Sequence, residues 1–193
     1  MYHSNYVDKI FNLFIGWTVI PMPKYTQDDE QISDGVNLLI SILVRYPEIG
    51  TISFDPLHNS IKLTFMLSSI LTAAEFETIK NTLLKSVEAY LMLSSAGEYE
   101  AAVQLSSYER VTMLVVSRDV ATLSKGEITL LIALLRDKFR DKLVTDNNDS
   151  MLEEDLLIQE ELIDNMLQNV KSNHTVNRLI GIREDGRVLV FNK

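Results

Sequence analysis

Cysteine does not occur in the 193 residues. Its absence excludes disulfides, thiolate nucleophiles and cysteine-ligated zinc, and it fits a reducing compartment, so the expected location is the cytoplasm. Glycine and proline are scarce, at seven and four, which points to regular elements joined by short connections. No two glycines have the spacing of a phosphate cradle or a dinucleotide fingerprint; the nearest pair, Gly181 and Gly186, flanks a hairpin turn. There is no G-x-S-x-G nucleophile elbow and no HExxH pair. The histidines are His3, His58 and His174, none with a second ligand at helical spacing. These residues therefore assign no catalytic residue, no metal site and no cofactor.

Positive charge is also in short supply. Lys and Arg number 18 against 27 Asp and Glu, a net charge of −9. That balance argues against nucleic acid, whose phosphates call for a basic patch, and against docking on an anionic membrane. The longest N-terminal apolar run, IFNLFIGWTVI at 10–20, is too short for a bilayer, which needs about 20 helical residues. Asp8 and Lys9 cancel before it, so it lacks the basic start of a signal peptide, and it is expected to enter the protein's own core.

What is present is a regular alternation of helices and strand pairs. Thr72-Ala-Ala-Glu75, Ser124-Lys-Gly-Glu127 and Ser150-Met-Leu-Glu153 each have the capping-box pattern, in which a hydroxyl and a carboxylate satisfy the first backbone N–H groups reciprocally. They predict helices over 73–94, 124–144 and 151–171, and a further helix over 28–46 starts at an acidic cluster and stops before Pro47. Strands are expected at 51–54 and 60–67, the second alternating Ile61, Leu63, Phe65 and Leu67 on one face. Another pair is expected at 99–105 and 109–117 about a turn at Ser106-Ser107, and a terminal hairpin surrounds Asp185-Gly186.

The expected class is α+β, an antiparallel sheet packed with helices. A ferredoxin-like core over 14–106 follows if residues 14–20 form a strand. The domain reading is a core of 1–144, then a polar linker, an acidic helix and a hairpin over 145–193, packed on that core or on a partner subunit. The element order is similar to that of the small acidic dimeric chaperones of type III secretion, a likeness of order with no motif residues in common.

Charge is concentrated in the C-terminal part. Between Lys142 and Lys171 there is no Lys or Arg, but there are Asp146, Asp149, Glu153, Glu154, Asp155, Glu160, Glu161 and Asp164. DNNDSMLEEDLL, from Asp146, starts like a calcium loop but has Met151 where Gly is needed and Leu157 where a bidentate Glu belongs. Two uses of the acids compete. In one, the helices at 124–144 and 151–171 form an antiparallel hairpin, and the acids through Asp155 meet Arg136, Lys138, Arg140 and Lys142. In the other, Glu160, Glu161 and Asp164, beyond that reach, dock a partner protein.

The same helix carries a stripe of Leu152, Leu156, Ile163, Met166, Leu167 and Val170, broadened by Leu157 and Ile158. It is the expected cover for the terminal hairpin. There a two-residue turn puts Ile180, Ile182, Leu189 and Phe191 on one side, and Gly181 and Val190 on a lighter side that faces solvent or a closely approaching neighbour.

The leading functional expectation is a non-enzymatic interaction or regulatory protein, adaptor- or chaperone-like and a homodimer, acting through Glu160, Glu161 and Asp164 or through a sheet edge. Its rivals are a small-ligand domain with Trp17 and Tyr108 as walls of a cleft, and an enzyme with an unfamiliar site at Arg118-Asp119.

Overall fold

Ile61, Leu63, Phe65 and Leu67 share one face of a strand, as their alternation predicts, and all four are fully buried. That strand is central to the sheet of the computed structural model, which describes residues 34–146, 153–172, 177–184 and 186–192, all within the unit Ser33–Lys193. In chain order the elements are α1 (Asp34–Arg45), β1 (Ile49–Asp55), β2 (Ser60–Leu67), α2 (Ala73–Leu93), β3 (Ala101–Tyr108) and β4 (Val111–Asp119). They continue with α3 (Lys125–Phe139), a 3₁₀ turn (Arg140–Lys142), α4 (Glu153–Ser172), β5 (Leu179–Glu184) and β6 (Arg187–Asn192). The strands form one six-stranded antiparallel sheet in the order β3-β4-β2-β1-β5-β6. Among the described residues four helices pack on it, and the class is α+β. Among the described residues no helix is long and apolar enough to cross a membrane.

A ferredoxin-like order over 14–106 would place a strand from 14–20 between β2 and β3, and β4 holds that position. Residues 14–20, 28–33 and the Ser150 cap lie outside the described residues.

One cluster unites the sheet's inner face with all four helices. It contains Ile52 of β1, Leu114 and Val116 of β4, Ile79 and Leu83 of α2, Ile128 and Leu131 of α3, and Ile163 and Leu167 of α4. At α2 the expected capping box is complete: Thr72 Oγ1 accepts from the Glu75 N–H at 3.2 Å, and Glu75 Oε2 accepts from the Thr72 N–H at 2.8 Å. At α3 only half of it forms. Ser124 Oγ accepts from the Glu127 N–H at 3.2 Å, but the Glu127 carboxylate turns inward to Arg118. That helix ends at Phe139, earlier than expected, where Arg140 adopts φ 47°. The chain then runs beside β2, with Leu143 bridging Leu67 and the Val144 N–H donating to the Met66 carbonyl at 2.9 Å.

The turn between β3 and β4 differs from expectation. It falls at Glu109-Arg110, with Tyr108 opposite Val111, and Ser106-Ser107 lie within the strand. The reason is side-chain pairing. A turn at Ser106-Ser107 would set Val103 against Arg110, whereas the observed register sets Val103 against Val116 and Leu105 against Leu114.

The terminal hairpin has the predicted register, Ile182 against Leu189 and Gly181 against Val190, and it extends the chain's own sheet through β5 and β1. Its cover is different. The lighter side faces inward: Leu179, Gly181 and Arg183 are buried and Val188 and Val190 pack against the core. The covering helix is α1, and α4 packs on α1 rather than on the hairpin or chiefly on α3. Composition explains the layering. Gly35, Leu38, Leu39, Ser41, Ile42 and Leu43 are all buried and span about 200° of a helix with 3.6 residues per turn, so α1 meets the sheet and α4 at once. Gly181 permits the close approach, since a Cβ there would lie 2.8 Å from Leu43 Cδ1 and 3.0 Å from Ile52 Cγ2.

Candidate functional site

The three acids proposed for partner docking separate in the structure. Glu160 faces inward along α4, where Arg45 at the end of α1 donates to its Oε1 from Nε at 2.8 Å and from Nη2 at 2.5 Å. Lys125, in the first turn of α3, lies 3.0 Å from Asp164 Oδ2 and 3.8 Å from Glu160 Oε2. Its hydrogen bond to Asp164 holds the ammonium above its ordinary pKa. Beside Arg45, the Tyr46 hydroxyl meets Thr129 Oγ1 at 3.0 Å, and burial pushes that phenol upward. Glu160 and Asp164 thus tie α4 to α1 and α3, while Glu161 points outward.

The expected pairing of α4 acids with the basic end of α3 is not what Arg136 does: it pairs with Glu48, a buried carboxylate just before β1. No local signal announces Arg45 as the partner of Glu160, because 115 residues separate them.

The apolar stripe of α4 is narrower than its sequence suggests. Ile163, Leu167 and Val170 are buried and Met166 partly so. Leu157 and Ile158, which were to broaden that stripe, are 61% and 55% exposed, and Leu162 is 37% exposed. At about 100° per residue, Glu161 lies between Leu157 and Ile158 on the helix surface, with Leu162 flanking Ile158. One outward face therefore combines three large apolar side chains with a carboxylate. A cavity of about 330 Å³ opens beside it, lined by Lys125, Leu157, Ile158, Glu160 and Glu161.

Arg118-Asp119 proves to be part of a larger, closed network. Arg118, 1% exposed, donates from Nε to Glu127 Oε1 at 2.5 Å and from Nη2 to Glu127 Oε2 at 3.0 Å and Thr122 Oγ1 at 2.9 Å. Its Nη1 donates to the Glu100 carbonyl at 2.5 Å and to Asp119. Every guanidinium N–H is thereby used, and both Glu127 oxygens accept. Burial is the largest influence on Arg118 and opposes its charge, but the hydrogen bonds and negative charges of Glu127 and Asp119 together outweigh it, and the pKa stands above the ordinary value. This arrangement joins β4 to the start of α3.

The other polar candidates are similarly committed. His58 Nδ1 lies 3.0 Å from Asp55 Oδ2, and this contact, aided by Arg178, holds the Asp55 carboxyl below its usual range. Asp146, first residue of the incomplete calcium pattern, accepts the Gly186 N–H on Oδ2 at 2.8 Å and braces the terminal turn. Among the described residues no group of three or more His, Asp or Glu is placed to hold a metal. Tyr108 sits at the β3–β4 turn, and Trp17 lies outside the described residues. No family model, no curated protein and no solved structure matches this chain.

Proposed function

We propose that the chain is a non-enzymatic protein-interaction protein, adaptor- or chaperone-like, that self-associates as a homodimer and engages a further protein through the outer face of α4. The observation that carries this reading is the exposure of Leu157, Ile158 and Leu162 around Glu161. A fully exposed side chain of this kind gains roughly 1.5–3 kcal/mol on full burial, of which these partly covered ones would gain a share, and apolar groups gathered beside a cleft are a common mark of a docking surface. Glu161 specifies the sign of the partner. The occupant that fits is a basic amphipathic helix, its apolar side chains on Leu157, Ile158 and Leu162 and a Lys or Arg opposite Glu161. Glu160 and Asp164 hold the platform in place.

Affinity capture with quantitative mass spectrometry tests this. One protein retained by the wild type should be lost both with Glu161→Lys and with Leu157→Ser/Ile158→Ser, yet kept with Leu93→Ser, an exposed apolar position at the end of α2. Equal retention by all variants would sink the reading.

A further inference from the structure

We infer that β6 is the seam of a symmetric dimer, in which a second copy of the chain lays its own β6 antiparallel to this one about a two-fold axis at Leu189, merging two six-stranded sheets. This rests on the self-association proposed above and gives it a location.

Among the described residues β6 is the last strand of the sheet, hydrogen-bonded on one side to β5. In a two-residue hairpin the closing pair, here Glu184 and Arg187, exchanges main-chain bonds, and the pattern alternates from there. Arg187, Leu189 and Phe191 therefore direct their amides and carbonyls at β5, while Val188, Val190 and Asn192 direct theirs outward.

Exposed edges are usually blunted by proline, charge or a bulge. Residues 188–191 of β6 carry none of these, and Leu189 and Phe191 are 41% and 44% exposed on the side away from α1. The opposite edge, β3, exposes Gln104, Ser106 and Ser107, which water serves well.

Strand parity and charge select a second copy in one register. A two-fold axis perpendicular to the sheet keeps the faces matched only if it passes through a residue. An axis at Val190 would set Leu189 against the partner's Phe191 and so offer no aromatic ring to Arg187. An axis at Leu189 instead sets Leu189 on the partner's Leu189 and Arg187 over the partner's Phe191 ring, an attractive cation–π pairing. Val188 and the partner's Val190 then form a hydrogen-bonded pair, repeated by symmetry, which satisfies the outward groups of both residues.

Light scattering on the full chain should find a wild-type dimer and a Leu189→Glu monomer with unchanged far-UV circular dichroism. The absence of cysteine makes cross-linking clean. Leu189→Cys should give a covalent dimer on mild oxidation with copper phenanthroline. Arg187→Cys and Phe191→Cys should cross-link when mixed, and Leu57→Cys in the β1–β2 turn should not. A wild type that stays monomeric at every concentration would overturn self-association itself. A wild-type dimer that Leu189→Glu leaves intact, or whose Leu189→Cys chains do not cross-link, would overturn the β6 seam alone.

Discussion

Glu127→Ala leaves Arg118 enclosed in the protein with its Nε–H and one Nη2–H unpaired, because both oxygens of Glu127 accept from it. Arg118 is 1% exposed and Glu127 0%, so water cannot replace the lost acceptor without opening the junction of β4 and α3. Removing one partner of a buried pair costs about 3–5 kcal/mol, chiefly the penalty of the charge left behind. For a chain of this size that corresponds to a fall in melting temperature on the order of 10 °C. Thr122→Val removes one acceptor of the same guanidinium and should cost about 1.5–3 kcal/mol. The double change Arg118→Met/Glu127→Leu removes both charges together and should lie far closer to the wild type than either single change implies. Urea denaturation followed by circular dichroism gives each value at pH 7. A Glu127→Ala protein within 1 kcal/mol of the wild type, or a double variant whose loss equals the sum of the two single ones, would refute the reasoning.

Two further outcomes follow from packing and charge. Gly181→Ala should destabilise by about 1–3 kcal/mol in urea, and Gly181→Val by more, since a side chain there meets Leu43 and Ile52; a neutral Gly181→Ala would show that α1 does not press on β5. For acid stability the relevant group is Asp119, whose burial raises its pKa but is outweighed by hydrogen bonds from Thr122 and Glu100 and by the Arg118 charge, leaving it lowered. A folded pKa below the unfolded value of about 3.9 gives stability present above that pH and lost as pH falls through the folded pKa. The urea midpoint should therefore hold level from about pH 7 to 5 and drop below about pH 4, with a shallower drop for Asp119→Asn. A midpoint constant to pH 2 would contradict it.

Local chemistry was the part of the fold most legible in the sequence. The alternation of β2, the Thr72–Glu75 box and the register of the terminal hairpin depend on neighbours a few residues apart, and each stands as read. What was not legible depended on groups far apart in the chain. Glu127 has the right spacing for a capping box, but a buried arginine on β4 competes for its carboxylate and wins, because an unpaired Arg118 would cost more than an unfilled cap. The hairpin's heavier side was expected to need the cover. Close packing instead favoured the side where Gly181 lets α1 approach, which leaves Leu189 and Phe191 outside.

The candidate site divided in the same way. Glu160, Glu161 and Asp164 were recognisable together as an acidic group on one helix. That Arg45 and Lys125 hold two of them is decided by where α1 and α3 lie, which no spacing within α4 encodes. The exposure of Leu157 and Ile158 was hidden for a related reason: a stripe's width can be read from its residues, but how much of it a neighbour covers cannot.

The outer face of α4 can be interrogated directly by site-specific photo-cross-linking from position 161 in living source cells, with position 93 as the comparison. A docking face predicts a discrete covalent adduct with one protein from position 161, cross-linked through a basic amphipathic helix and missing from position 93. No adduct from 161, or the same set of adducts from both positions, would contradict it.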